Sequence, residues 1–113
     1  MNNKVLGYSG EDSAVKFLKA KKYKIVCTNF TCPIGEIDII AADKKTIVFI
    51  EVKTRLTTKF GLPREAVTSF KQNKYRQLAM YYLKNNNLLD RVARFDVIEV
   101  LDGQINHIEN AFN

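Results

Sequence analysis

The most constraining feature of this chain is a pair of β-branched runs on either side of a short polar turn. Gly35-Glu-Ile-Asp-Ile-Ile-Ala41 and Thr46-Ile-Val-Phe-Ile-Glu-Val-Lys53 are separated by Asp43-Lys-Lys. Such runs around a tight polar turn predict an antiparallel hairpin. Side chains alternate across a strand, so Phe49, Glu51 and Lys53 share one face and Val48, Ile50 and Val52 the other. By the same count Glu36, Asp38 and Ile40 share a face of the first strand. Centring the turn between Lys44 and Lys45 sets Asp38 opposite Glu51. Directly opposed residues lie about 4.5–5.5 Å apart at Cβ. Two carboxylates that close repel unless a proton or a cation lies between them.

The other elements follow from spacing. A helix is expected after a loose stretch of the first 8 residues. Ser9 is placed to cap it, Glu11 and Asp12 to favour its start, and Ala14, Phe17 and Leu18 to line its buried face. Tyr23–Phe30 reads as a strand by its aromatic and β-branched content. Pro63 suits the first turn of a long helix ending near Lys84, with Val67, Phe70, Leu78 and Tyr82 near one face. Arg94–Leu101 is a further strand, Asp102-Gly103 a hairpin turn, and Gln104–Ile108 the pattern of a last short strand. The order α-β-β-β-α-β, with that last strand added, describes an α/β mixed sheet flanked by helices.

At 113 residues the chain has room for one domain spanning 1–113. Its longest apolar run, Leu78–Leu83, is too short to cross a bilayer. The N-terminus lacks the apolar stretch of a signal peptide, and Cys27 and Cys32 match neither a disulfide framework nor paired zinc-ligand spacing. A cytoplasmic protein with free thiols is expected. The net charge of +6 is unevenly distributed. Residues 53–94 carry ten basic and two acidic side chains, whereas residues 95–113 carry four acids and no Lys or Arg. A basic middle segment favours a polyanionic partner.

Asp38 and Glu51 on one face suit a divalent metal held by oxygen ligands and water, Mg²⁺ or Mn²⁺. Lys53, two residues on, shares that face. Two acids, a metal and a lysine form a working set for phosphodiester hydrolysis. Read singly, each residue has a plainer role: Glu51 and Lys53 as a solvated strand face, Asp38 as a turn cap.

Gly10-Glu11, Gly35-Glu-Ile-Asp-Ile-Ile40, Phe49-Ile-Glu-Val-Lys-Thr-Arg55, Phe60-Gly61 and Arg94-Phe-Asp-Val97 together resemble the YraN-like family of small bacterial proteins. That family is similar to the PD-(D/E)XK nucleases, near the archaeal Holliday-junction resolvases. The resemblance implies a restriction-endonuclease-like fold and metal-dependent cleavage of DNA. It implies Asp38 and Glu51 as metal ligands, with the Val52 carbonyl nearby, and Lys53 as the catalytic lysine. Glu11 would be a further acid of the site, or a charge that steadies a helix start. Glu36 could join the site or favour the turn. The superfamily's proline is replaced by Ile37. Resolvase-like relatives act as homodimers, so a homodimer acting on DNA, including branched DNA, is implied.

Arg55, Lys59, Arg64, Lys71 and Lys74 follow the catalytic strand into the long helix and are candidates to meet phosphates. Lys71 could also reach the active-site side. Tyr75, Tyr81 and Tyr82 could stack on bases, but their helical spacing favours core or dimer packing. The alternative to an enzyme is a nucleic-acid-binding or adaptor module that keeps the nuclease fold without turnover.

Overall fold

In the computed structural model, which describes residues 3–55 and 68–112 with side chains from residue 10 onward, the predicted hairpin has the predicted register. Strands β2 (Gly35–Asp43) and β3 (Thr46–Arg55) pair antiparallel, Asp43 opposite Thr46 and Ile39 opposite Ile50. Lys44 takes a left-handed conformation in the two-residue turn. Helix α1 (Asn3–Ala20) and strand β1 (Lys24–Cys32) precede them. Helix α2 (Ser69–Asn85), β4 (Ala93–Leu101) and β5 (Gln104–Phe112) follow. The five strands lie in chain order, with β3 and β4 parallel and the other neighbours antiparallel. A parallel neighbour requires a crossover, and α2 lies within that connection.

The helices pack on opposite faces. Ala14 and Leu18 of α1 meet Ile39, Ala41, Val48, Ile50, Ile98 and Val100. Leu78, Ala79, Tyr82 and Leu83 of α2 meet Ile37, Ile40, Ile47 and Phe49. Phe49 thus faces α2 and Val48, Ile50 and Val52 face α1, as alternation along β3 requires.

Four expectations need correcting. α1 begins at Asn3, so Ser9 lies inside the helix and not at its start. A Cβ on Gly10 would overlap the Thr54 hydroxyl, so α1 lies directly on the end of β3. Gly10→Ala is accordingly expected to destabilise the fold by about 1–3 kcal/mol, read from urea midpoints, although alanine is the better helix former. α2 begins at Ser69, capped by the Thr68 hydroxyl accepting from the Lys71 N–H at 3.3 Å. Pro63 and Val67 lie outside the described residues, and Phe70 is exposed instead of sharing the buried face. β5 is a full nine-residue strand, started by an Asp102-Gly103 turn with both residues at positive φ. Finally, alternation along β2 breaks at Asp38. Ile37 and Ile40 pack in the same cluster, so the face predicted for Glu36, Asp38 and Ile40 is not continuous. The left-handed Asn29 sits in β1 between the pairs Thr28–Ile39 and Phe30–Ile37, opposite Asp38.

Candidate active site

The break at Asp38 puts its carboxylate between the two layers. The last ladder pair of the hairpin is Ile39–Ile50. One step beyond, the Val52 N–H donates to Asp38 Oδ2 at 2.8 Å. Asp38 thereby closes the end of the hairpin with a side chain where a main-chain carbonyl would otherwise accept. Its charge is felt on both sides, by Glu51 of β3 and by Glu11 of α1.

Glu51 is the most perturbed of these acids. Its side chain is only 14% exposed. Burial, then the Asp38 charge, pushes its pKa up to about 7, and the Asp38 carboxyl lies within hydrogen-bonding reach. Lys53 Nζ opposes the shift, donating to Glu51 Oε1 at 3.0 Å. The Tyr75 hydroxyl of α2 donates to the other oxygen, Oε2. Glu11 is raised too, by burial first and then by Asp38, while Asn29 hydrogen-bonds its charged form.

Cations crowd this site as well. Lys71 stands one helical turn before Tyr75, which brings its ammonium against that of Lys53. The Lys53 charge, followed by burial, lowers the Lys71 pKa. Lys71, Lys74, Tyr75 and Leu78 line a pocket of about 220 Å³ with Gly35 and Glu36. The Lys74 stem lies over Gly35, where a Cβ would approach its Cε to 3.1 Å. Glu36 thus lies at the margin of that pocket.

Two of the five basic candidates, Lys59 and Arg64, lie outside the described residues. Arg55 is drawn inward, with its Nε 3.5 Å from Oε2 of the buried Glu99. Tyr82 is core, packed edge-on against Phe30 and Phe49 at 5.3 and 5.9 Å. Tyr75 packs partly buried against the α2-face core, as its helical spacing implies, and its hydroxyl in addition reaches Glu51. Its spacing of four from Lys71 was the available signal.

A divalent cation is the group these donors suggest. Among the described residues no three His, Cys, Asp or Glu side chains are placed to enclose a metal ion. Mg²⁺, however, is commonly held by one or two carboxylates, its remaining positions filled by water and substrate oxygens. Asp38 and Glu51 fit that open arrangement.

A second polar cluster lies on the α1 face beside Tyr23. Asp96, 1% exposed, accepts from Arg94 Nε at 3.0 Å, from the Asn110 N–H at 3.0 Å and from His107 Nε2 at 2.7 Å. Arg94 also reaches Asp43 at 3.1 Å. The Lys21 ammonium meets His107 Nδ1 at 2.9 Å, which makes Nδ1 the acceptor and leaves the Nε2–H to donate to Asp96. This cluster ties α1, β4 and β5 together. His107 had no assigned role, because its partners come from distant parts of the chain.

A mixed sheet between two helices, with acids and a lysine at the end of its central hairpin, fits the PD-(D/E)XK nuclease-like superfamily, to which the family of this chain belongs. Within it the chain belongs to the family described as "Uncharacterised protein family UPF0102", the YraN-like proteins, whose model matches residues 10–100. It is 50% identical over 116 residues to a UPF0102 protein of Geobacter metallireducens, covering 99% of this chain and 95% of that one. It is 47% identical to one of Caldicellulosiruptor saccharolyticus, covering 99% and 100%. A UPF0102 protein of Clostridioides difficile is 50% identical over 114 residues, covering 99% and 100%. No helix among the described residues is long and apolar enough to cross a membrane.

Proposed function

We propose that this protein is a metal-dependent DNA endonuclease that hydrolyses phosphodiester bonds, with branched DNA among its substrates. One observation carries the reading. The site presses two carboxylates together, Asp38 and Glu51, and beside them two ammonium groups, Lys53 and Lys71. A carboxylate pair calls for a cation and an ammonium pair for an anion. A divalent metal paired with a phosphate supplies both at once.

Each residue then has a task. Asp38 and Glu51 would hold Mg²⁺ or Mn²⁺, with the Val52 carbonyl as a further oxygen. When bound, such an ion polarises the phosphoryl oxygen and lowers the pKa of attacking water. Lys53, fixed by Glu51, offsets charge as it develops on the phosphorane-like transition state or orients the water. Tyr75 fixes the second Glu51 oxygen and so restricts the carboxylate's rotation. Lys71 and Lys74 favour the incoming phosphate, and Glu11 adds negative charge on the metal side. A homodimer would give this small domain the two-fold symmetry of a branched substrate.

The test is cleavage of end-labelled single-stranded, duplex, flap and four-way-junction DNA with Mg²⁺, Mn²⁺ or EDTA. Metal-dependent cleavage is expected, and Lys53→Ala should reduce it by about 10²-fold or more while leaving the fold intact. Salt-sensitive DNA binding by folded protein, with no cleavage of any substrate, would replace this reading with that of a binding module.

A further inference from the structure

The flank of α2 beside the turn before β2 has features that phosphate chemistry alone does not use. Phe70, Lys74, Gln77, Tyr81 and Lys84 recur at spacings of four and three, which aligns them in one stripe along a helix. All five are exposed; Phe70 is 76% and Tyr81 36% accessible. α2 carries Lys71, Lys74, Arg76 and Lys84 and no acid. An open groove of about 610 Å³ borders the C-terminal half of the stripe, lined by Gln77, Tyr81 and Lys84 together with Ile34, Arg76 and Met80 among others. Phe30 backs the Tyr81 ring at 6.5 Å, and Tyr82 backs Phe30 in turn, so the exposed ring is held from behind. Toward the N-terminus the same flank leads to the pocket of Lys71, Lys74 and Tyr75, where Tyr75 touches Glu51.

Aromatic rings interleaved with cations suit one polyanion better than others. A duplex keeps its bases stacked on one another and offers mainly phosphates to such a surface. A single strand offers phosphates to the lysines and base faces to the rings. A second copy of this chain fits poorly, because isologous pairing would bring the same lysines together. We propose that this stripe binds a single strand of nucleic acid, which runs about 20 Å along α2 toward Glu51. The direction of that path rests on the endonuclease reading. It deepens that reading by requiring a single-stranded segment beside the phosphate to be cleaved.

The test is a fluorescence-anisotropy titration without divalent metal, using labelled oligo(dT) and a blunt duplex of equal length. Wild type should prefer the single strand. Tyr81→Ala should weaken single-strand binding about ten-fold and leave duplex binding nearly unchanged, whereas Tyr81→Trp should retain the preference. Lys84→Glu should weaken both and flatten the salt dependence. Circular dichroism confirms that each variant is folded. Unchanged oligo(dT) affinity in folded Tyr81→Ala would overturn the proposal. So would a dimer that Tyr81→Ala dissociates in sedimentation velocity, since the stripe would then lie between copies. Single-strand binding that depends on Tyr81, in a protein that cleaves nothing, would leave the groove standing and remove the endonuclease reading. Cleavage that ignores Tyr81 would do the reverse.

Discussion

Glu51→Gln is expected to abolish metal-dependent cleavage and, in metal-free buffer at pH 8, to make the protein more stable. The loss of cleavage should be about 10²–10³-fold or more, because the variant removes a charge at the reacting centre. The gain in stability has a separate origin. Burial, then the Asp38 charge, raises Glu51 from its ordinary 4.5 to about 7. A carboxylate raised in this way contributes stability that is complete below pH 4.5 and is lost as pH climbs through 7. The loss is on the order of 3 kcal/mol, which amounts to roughly 10–20 °C in Tm for a domain of this size. Wild type should therefore melt lower at pH 8 than at pH 5. Mg²⁺ should recover the difference by binding only the folded site. Glu51→Gln should show neither the pH dependence across that window nor the Mg²⁺ response. Thermal melts of both proteins at the two pH values, with and without Mg²⁺, decide the matter. A variant less stable than wild type at pH 8 would mean that the Lys53–Glu51 ion pair outweighs the crowding of acids.

Asp96→Ala is expected to destabilise the fold more than Gly10→Ala does. Burial pushes the Asp96 pKa up, but bonds from His107, Arg94 and the Asn110 N–H overcome that and hold it below its ordinary value. Its contribution is therefore complete above pH 3.8 and disappears as pH falls through the lower folded value. Removing the carboxylate leaves three donors without their acceptor and Arg94 with one fewer counter-charge. Breaking a buried pair in this way costs about 3–5 kcal/mol, a large share of the stability typical of a single domain. Asp96→Asn, which still accepts, should lose less. Urea midpoints measure both. Below its own melting range Asp96→Ala should retain DNA affinity, since the brace lies on the α1 face and the Lys71–Lys74 pocket on the α2 face. A loss of under 1 kcal/mol would show that the cluster is dispensable.

Much of this was legible because the decisive signals are local. A two-residue turn between β-branched runs fixes register, and register brings Asp38 to Glu51. Lys53 follows from alternation alone. What was not legible depends on contacts between distant parts of the chain. Ser9 has the chemistry of a helix cap, but the helix runs through it, and the close approach of Gly10 to Thr54 is a contact that local spacing does not reveal. Strict alternation cannot anticipate a strand that breaks step at Asp38 opposite a left-handed Asn29. Tyr75 was ambiguous because an aromatic residue on an amphipathic helix is usually core. Its hydroxyl gains meaning only when α2 crosses over Glu51. Asp96 and His107 are 11 residues apart and form a pair only through the β4–β5 hairpin.

The crossover also sets the order in which the site assembles. Every β3–β4 pair, from Ile47–Ala93 to Arg55–Leu101, joins residues 46 apart in the chain. The β1–β2–β3 meander needs only short turns. Hairpins of that kind close in about 1–10 μs, whereas distant parallel pairing must first meet the entropy of a long loop. Asp38, Glu51 and Lys53 therefore come together early, on a meander that remains marginal by itself. Lys71 and Tyr75 are expected to join them later, when the crossover docks. On that order the charged half of the site would form in open water and be dehydrated last, and the acids would incur most of their mutual repulsion after the folding transition state. Neutralising Glu51 should accordingly slow unfolding far more than it speeds refolding.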